Sequence, residues 1–270
     1  MKIKRSLLYI SLAAGAFLMM VPFLWMVLTS LKAPDEVLAI PPKLLPSVFN
    51  LKNYAYAFEA APFGRYFFNS FLVTIASTLL QVVTSALAAY AFARFKFKGK
   101  KFLFLLFLGT MMIPVEVTLV PNYLILSKLG WIDTYTALVI PWAVSVFGIF
   151  LMRQFFVSLP AELFDQAQID GCTHWQILWK IVLPISKPVF ITVGLFSMLG
   201  SWNSFLWPLI MTNSESMRTV PVGLSYFTLE YATRYHLMMA AALFATLPVL
   251  VVYFFAQKYF IEGISTSGMK

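Results

Sequence analysis

Few polar side chains interrupt the apolar stretches of this chain, and those few bound the chemistry open to it. Glu116 is the one acidic residue inside a long apolar run. A carboxylate there is costly unless it faces water, a partner or the interior of a helix bundle. It stands between Pro114 and Pro121, so two uses stay open: contact with a solute, or bracing a bend near a membrane interface. A second constellation, Trp202, Asn203, Ser204 and Trp207, offers an amide, a hydroxyl and two aromatic faces. That mixture suits a polyhydroxylated solute, which takes hydrogen bonds at its edges and an aromatic ring against its C–H surface. On an unbroken helix Ser197, Gly200, Asn203 and Trp207 fall along one face, where they serve helix-to-helix contact equally well. The third group is acidic: Glu162, Asp165 and Asp170 surround Leu163, Phe164 and Ala167 just before Gly171.

Catalysis and metal binding find little support. Cys172 is the single cysteine, which excludes an internal disulfide framework and a multi-cysteine metal site. His174 and His236 stand in different loops, and no Ser-His-Asp set or His/Glu cluster shares one face. The expectation is a chain that is not an enzyme, with no metal and no cofactor of its own.

The elements that must position these groups are membrane helices. Of the 270 residues 60% are hydrophobic and 11% charged, against roughly a quarter charged in soluble domains. Apolar segments run over about 7–31, 66–93, 102–126, 136–157, 189–212 and 238–260, each long enough for a hydrocarbon core of roughly 30 Å. Backbone groups facing lipid must pair internally, and no segment alternates as a barrel strand does, so the expected fold is all-α with six transmembrane helices in one domain, 1–270. The Lys2, Lys4, Arg5 start followed by an apolar run is too long for a signal peptide and reads as a retained first helix.

A net charge of +9 suggests orientation rather than nucleic acid, because no soluble basic module is left to bind one. Lys2, Lys4 and Arg5, then Arg94, Lys96, Lys98, Lys100 and Lys101, then Arg153, Lys180 and Lys187, with Lys258 and Lys270, all fall on one side. The other side has the sparser set Lys32, Lys43, Lys52, Arg65, Lys128, Arg218 and Arg234, spread over longer loops. Both termini are therefore expected in the cytoplasm. Pro34, Pro41, Pro42, Pro46 and Pro62 make the first external loop read as an ordered but irregular lid. Pro22, Pro114, Pro121, Pro141, Pro208 and Pro248 within the spans suggest kinks, and Ser85, Ala89 and Ala93, four apart, a stripe for close helix approach.

Residues 158–184 form a polar elbow between two apolar segments. Pro160 suits the start of a short helix and Gly171 a left-handed stop. Thr173 with Gln176 fits a capping box that opens a second helix. On the first helix Leu163 and Ala167 share a face with Phe164 beside them, edged by carboxylates, a surface suited to a groove on a soluble partner. On the second, Trp175, Leu178, Trp179 and Val182 make a wider apolar face to lie against the spans. A helix resting on lipid headgroups is the other reading, and the acidic residues weigh against it on a negative leaflet.

The elbow residues Asp165-Gln166-Ala167, Gln168-Ile169-Asp170, Gly171, then Leu183-Pro184 and Lys187-Pro188, resemble the cytoplasmic Glu-Ala-Ala…Gly…Leu-Pro motif of permease subunits of binding-protein-dependent ABC importers, in the maltose-permease-like carbohydrate group. Asp165 and Gln166 depart from the usual Glu and Ala. The likeness extends through Asn69-Ser70, Ala88-Ala89-Tyr90-Ala91-Phe92-Ala93-Arg94-Phe95, Trp202 to Leu209, Thr219 to Leu224 and the tail Phe260-Ile261-Glu262-Gly263. It implies the type I importer permease fold in a bacterial or archaeal cytoplasmic membrane. Its implied partners are a second related permease in a heterodimer, two ATP-binding subunits that use ATP and Mg, an extracytoplasmic solute-binding protein and a carbohydrate. It further implies that Glu162, Leu163, Phe164, Asp165, Ala167, Asp170 and Gly171 form a coupling helix that docks on the ATPase. The chain lacks a phosphate-binding loop of its own. A secondary sugar transporter driven by an ion gradient is the alternative, for which Glu116 would be the one acidic coupling site.

Overall fold

In the computed structural model the backbone is described over residues 2–230 and 234–267, and side chains over 6–225, 234–255 and 257. The charges Lys2, Lys4, Arg5, Lys258 and Lys270 and the tail motif Phe260-Ile261-Glu262-Gly263 lie outside the described side chains. Among the described residues every regular element is helical: α1 (Lys2–Ser30), α2 (Pro34–Val37), α3 (Lys52–Ala60), α4 (Phe63–Arg94), α5 (Lys100–Thr110), α6 (Val115–Lys128), α7 (Tyr135–Val139), α8 (Val146–Ser158), α9 (Ala161–Ile169), α10 (His174–Gln176), α11 (Leu183–Ile185), α12 (Lys187–Trp202), α13 (Leu206–Met211), α14 (Val220–Glu230) and α15 (Tyr235–Ser267). Four helical stretches are long and apolar enough to cross a membrane, and six if each of two bent pairs counts as one span. The long apolar runs form helices because a helix satisfies every backbone group within itself.

The spans are less continuous than their hydropathy suggests. The run 102–126 is two helices, α5 and α6, set at 96°. They part at Met111–Pro114, where Pro114 lacks the donor needed to continue α5. The run 136–157 contains a 3₁₀ turn at Ile140–Trp142, at whose start Pro141 sits. The run 189–212 stops at Trp202 and resumes at Leu206. By contrast Pro22 and Pro248 lie inside continuous helices, as does Pro121 in α6.

Two compact units divide the chain, Met1–Tyr66 with Val220–Leu250, and Phe67–Thr219 with Val251–Lys270. In the first, the proline-rich loop is more regular than its composition suggests. The prolines pause between Pro46 and Pro62, and α3 forms in that gap. Asn53 donates from Nδ2 to the Ser30 and Lys32 carbonyls at 2.8 and 2.9 Å, fastening α3 to the end of α1. The Lys32 ammonium, fully buried, donates to the Lys43 carbonyl at 2.6 Å and sits 4.4 Å from the Trp25 ring. Glu36 accepts from Lys43 Nζ at 3.0 Å and from the Ser47 backbone N–H at 3.2 Å. The Ser47 side chain and then the Lys43 ammonium hold its carboxyl down to about 2.

A carboxyl with a depressed pKa contributes stability above its ordinary value and loses it as pH falls through the folded value. The unfolding temperature of the wild type should therefore exceed that of Glu36→Gln at neutral pH, and the gap should close as pH falls from 4.5 through about 2. A gap that is unchanged at pH 2 would show that the Glu36 charge does not hold the loop.

The second unit contains the elbow and the residues of the expected solute path. Its core joins Ala86, Ala89 and Tyr90 of α4, Met152 and Phe156 of α8, Phe164 and Ala167 of α9, and Val189 and Val193 of α12. Small residues permit this approach, since a Cβ on Gly148 would stand 2.6 Å from Ser85 Oγ and 2.9 Å from Val193 Cγ1. The stripe read from Ser85 and Ala89 thus faces α8 within the chain.

Candidate functional site

The elbow is built by local signals. Gly171 has φ 78, and its N–H donates to the Gln168 carbonyl at 3.0 Å while Cys172 N–H reaches Ala167 O at 2.9 Å, closing α9. Thr173 Oγ1 accepts from Gln176 N–H at 3.3 Å, and Gln176 Oε1 accepts from Thr173 N–H at 2.8 Å, the reciprocal cap that opens α10. From there Ile177–Val182 winds as a π-helix into α11, where Pro184 supplies no donor.

Which way the elbow faces corrects the sequence reading. Phe164 and Ala167, expected to project toward a partner, are buried against Tyr90, Met152 and Phe156. Leu163 is half-buried beside them. The reason is that one short helix has one apolar face, and the neighbouring spans take it. Outward stand Glu162, Asp165, Gln166, Asp170, Gly171 and Ile169, the last 84% exposed. On the second helix Leu178 and Val182 are buried as expected, with Ile177 beside them, whereas Trp175 is exposed.

Arg94 ties the elbow to the bundle. Its Nη2 donates to the carbonyls of Phe156 at 2.6 Å and Leu159 at 3.0 Å, the orphan acceptors at the end of α8. The guanidinium carbon lies 3.4 Å from the centre of the Phe164 ring, a cation–π contact with α9. Tyr90 Oη lies 3.1 Å from His174 Nδ1, joining α4 to α10 as well. Through these contacts α9 and α10 are joined to α4 and α8 within one packed unit.

The second candidate is a cavity of about 490 Å³ in the same unit. Ser70, Val73, Ser77 and Gln81 of α4 line one wall, Thr110, Met111, Ile113 and Val115 the bend between α5 and α6, Trp142, Val144, Ser145, Val146 and Phe147 a third side, and Phe196, Ser197, Gly200 and Ser201 of α12 a fourth. Leu138, Ser204, Trp207, Pro208 and Thr219 complete it. Nothing in this lining carries a formal charge. Ser77 and Thr219 are buried, and among the described residues their hydroxyls have no hydrogen-bond partner. Buried hydroxyls left so are costly, which makes them ready partners for a solute or for water. Trp207 turns its Nε1 away to the Ala137 carbonyl at 3.0 Å and packs its ring on Trp142, leaving an aromatic surface at the cavity.

The cavity takes Ser204 and Trp207 from the expected solute path and leaves out three others. Trp202 is buried against Phe67 and Phe71, with ring centroids 6.3 and 5.0 Å away. Asn203 is exposed and donates to the Leu199 carbonyl at 3.0 Å, so it caps α12. Glu116 is exposed in the first turn of α6 and does not line the cavity, although its neighbour Val115 does. The break at 203–205 rotates these side chains off the single face that an unbroken helix would give. Missed were Ser70, Ser77 and Gln81, whose spacing of seven and four along α4 was a polar stripe legible in the sequence.

Two polar clasps frame the same unit. Asn69 Nδ2 donates to the carbonyls of Ser216 and Arg218 at 2.8 Å each, and its Oδ1 accepts from Tyr135 Oη at 2.6 Å. Asp133, at φ 64, accepts on Oδ1 from the Asn213 and Ser214 N–H groups and the Ser214 hydroxyl at 2.9 to 3.0 Å. Burial pushes the Asp133 carboxyl up, but these donors outweigh it and hold it below its ordinary value.

Residues 81–266 match the family described as the binding-protein-dependent transport system inner membrane component. The arabinooligosaccharides transport system permease protein AraQ of Halalkalibacterium halodurans is 36% identical over 267 residues, covering 98% of this chain and 96% of that one. The sulfoquinovosyl glycerol transport system permease protein SmoH of Agrobacterium fabrum is 32% identical, covering 92% and 88%. The sn-glycerol-3-phosphate transport system permease protein UgpE of Yersinia enterocolitica is 32% identical, covering 96% and 95%. The fold matches a chain of a bacterial ABC transporter involved in the import of the acidic polysaccharide alginate, with a TM-score of 0.86 at 22% identity over 96% and 97% of the two chains. With its helical bundle, its elbow and this breadth of similarity, the chain belongs to the inner membrane permease components of binding-protein-dependent ABC importers.

Proposed function

We propose that this permease passes a neutral carbohydrate, an oligosaccharide, disaccharide or polyol, across a bacterial or archaeal cytoplasmic membrane through a path that includes the cavity beside α4 and α12. The observation that carries this reading is the lining: buried, unpartnered hydroxyls of Ser77 and Thr219, aromatic surface at Trp207 and no formal charge. Such a surface exchanges hydrogen bonds with solute hydroxyls without paying for an unpaired buried ion. Glu116, outside the cavity, serves in this reading as a brace of the bend rather than a coupling-ion site.

Energy comes from partners. Two ATP-binding subunits hydrolyse ATP with Mg beneath this chain and a second, related permease, and an extracytoplasmic binding protein delivers the solute. The elbow rests on the ATPase through Glu162, Asp165, Asp170 and the Gly171 turn, with both termini on the same cytoplasmic side. Phe164 and Ala167 act from behind that surface: buried in the bundle, they pass a rigid-body displacement of α9 to α4 and α8.

Uptake by the assembled transporter in proteoliposomes tests this. Labelled neutral oligosaccharide should enter when ATP and binding protein are supplied, and should continue when an ionophore collapses the ion gradients. Uptake that needs no ATP and stops with the ionophore would establish the ion-driven alternative instead.

A further inference from the structure

At the elbow end of the bundle, Lys100 and Lys101 of α5 and Arg153 of α8 surround a cleft of about 380 Å³ floored by Phe104. Their placement is fixed. Arg153 Nε donates to the Phe92 carbonyl at 3.3 Å with its guanidinium 4.1 Å from the Phe104 ring centre, and Lys100 Nζ donates to the Phe95 carbonyl at 2.9 Å. These carbonyls satisfy donors at the end of α4 but cancel no formal charge. Among the described residues no ion pair reaches Lys100, Lys101 or Arg153. Among the described residues the Lys101 ammonium has no hydrogen-bond partner, and the residue is exposed. Both lysines stand in the first turn of α5, where the helix dipole adds positive potential.

Three gathered cations without an acid leave a cleft that is complete only with an anion. The geometry points to the phosphate headgroup of an anionic glycerophospholipid from the leaflet at the elbow end, seated between Lys101 and Arg153. The surface beyond the cleft suits the rest of that molecule. Leu105, one turn from Lys101, and Leu106 are 55% and 56% exposed, giving the acyl chains an apolar track along α5. Basic clefts between helices at the cytoplasmic side have the chemistry that holds such headgroups, and each lysine or arginine adds about five-fold in affinity. This inference rests on the membrane assignment and not on the transported solute, so its test needs no uptake.

The assembled transporter, stripped of lipid in neutral detergent, is titrated with phosphatidylglycerol, phosphatidylcholine or inorganic phosphate, and bound lipid is counted by native mass spectrometry. Phosphatidylglycerol should bind in preference to phosphatidylcholine. Lys101→Gln should weaken it about five-fold and Lys101→Gln with Arg153→Gln roughly twenty-fold. Lys101→Gln removes no hydrogen bond or ion pair among the described residues, so misfolding does not confuse that variant; Lys128→Gln, in the last turn of α6, should change nothing. Equal binding of the two lipids, unchanged binding by the double variant, or displacement of phosphatidylglycerol by low concentrations of inorganic phosphate would each overturn the lipid site.

Discussion

Replacing Arg94 with alanine should reduce solute uptake by at least ten-fold while the chain still enters the membrane. The guanidinium holds the Phe156 and Leu159 carbonyls at 2.6 and 3.0 Å and covers the Phe164 ring at 3.4 Å, so one side chain secures the ends of α4 and α8 and the start of the elbow. Hydrogen bonds from a charged donor contribute about 1.5–3 kcal/mol each, and removing the donor leaves two acceptors at a helix end, for a combined loss of about 3 kcal/mol in local stability. That loss concentrates at α9, whose attachment to the bundle then relies on Phe164 and Ala167 burial. Arg94→Lys should fall between the two, keeping the charge without the fork that reaches both carbonyls. The measurement is ATP-driven uptake beside thermal unfolding of the assembled transporter. Wild-type rates in Arg94→Ala would remove the anchor from the coupling path.

Gly171→Val should have a comparable effect on uptake through a different cause. Space is not the obstacle, because a Cβ at Gly171 meets nothing within 4 Å. The backbone is: at φ 78 a β-branched residue is an outlier, with a cost of about 1–2 kcal/mol, and relaxing it re-aims the chain between α9 and α10. Asp165 and Asp170 would then no longer sit at a fixed angle to α10, and engagement with the ATPase should fall while insertion and the solute cavity persist. Gly171→Asn separates conformation from side-chain size, since asparagine visits the left-handed region and should retain most uptake. If valine and asparagine behave alike, the turn's hand is not what transport requires.

The two variants also mark how far residues in a row can be read. Gly171 and the Thr173–Gln176 cap are legible because each is decided within four or five neighbouring residues, by a positive φ or by a side chain reaching the nearest free N–H. Arg94, which the sequence offered as one of several orientation charges and as part of the likeness closing α4, acquires its role from carbonyls 62 and 65 positions away. Phe164 and Ala167 were legible as an apolar face and not as an inward one. An apolar stripe says that something covers it, and only the neighbouring helices say what. The same holds for the fifth apolar run. Its pattern continues past Trp202 with no proline or charge there to mark an end, so no local signal separates an unbroken helix from one that stops at that point, and the stop moves Asn203 and Trp202 away from the cavity that receives Ser204 and Trp207.

By itself the sequence determined an all-helical membrane protein with a polar elbow, because bilayer thickness, backbone hydrogen bonding and helix caps act over stretches that a single segment contains. The tertiary structure decided which hydroxyls converge on one cavity, which face of the elbow is buried and which cations gather without an acid. Those outcomes depend on side chains that lie tens of residues apart and meet only when α4, α8 and α12 pack at distances set by glycine, alanine and serine, a matter of three-dimensional fit that no local pattern encodes.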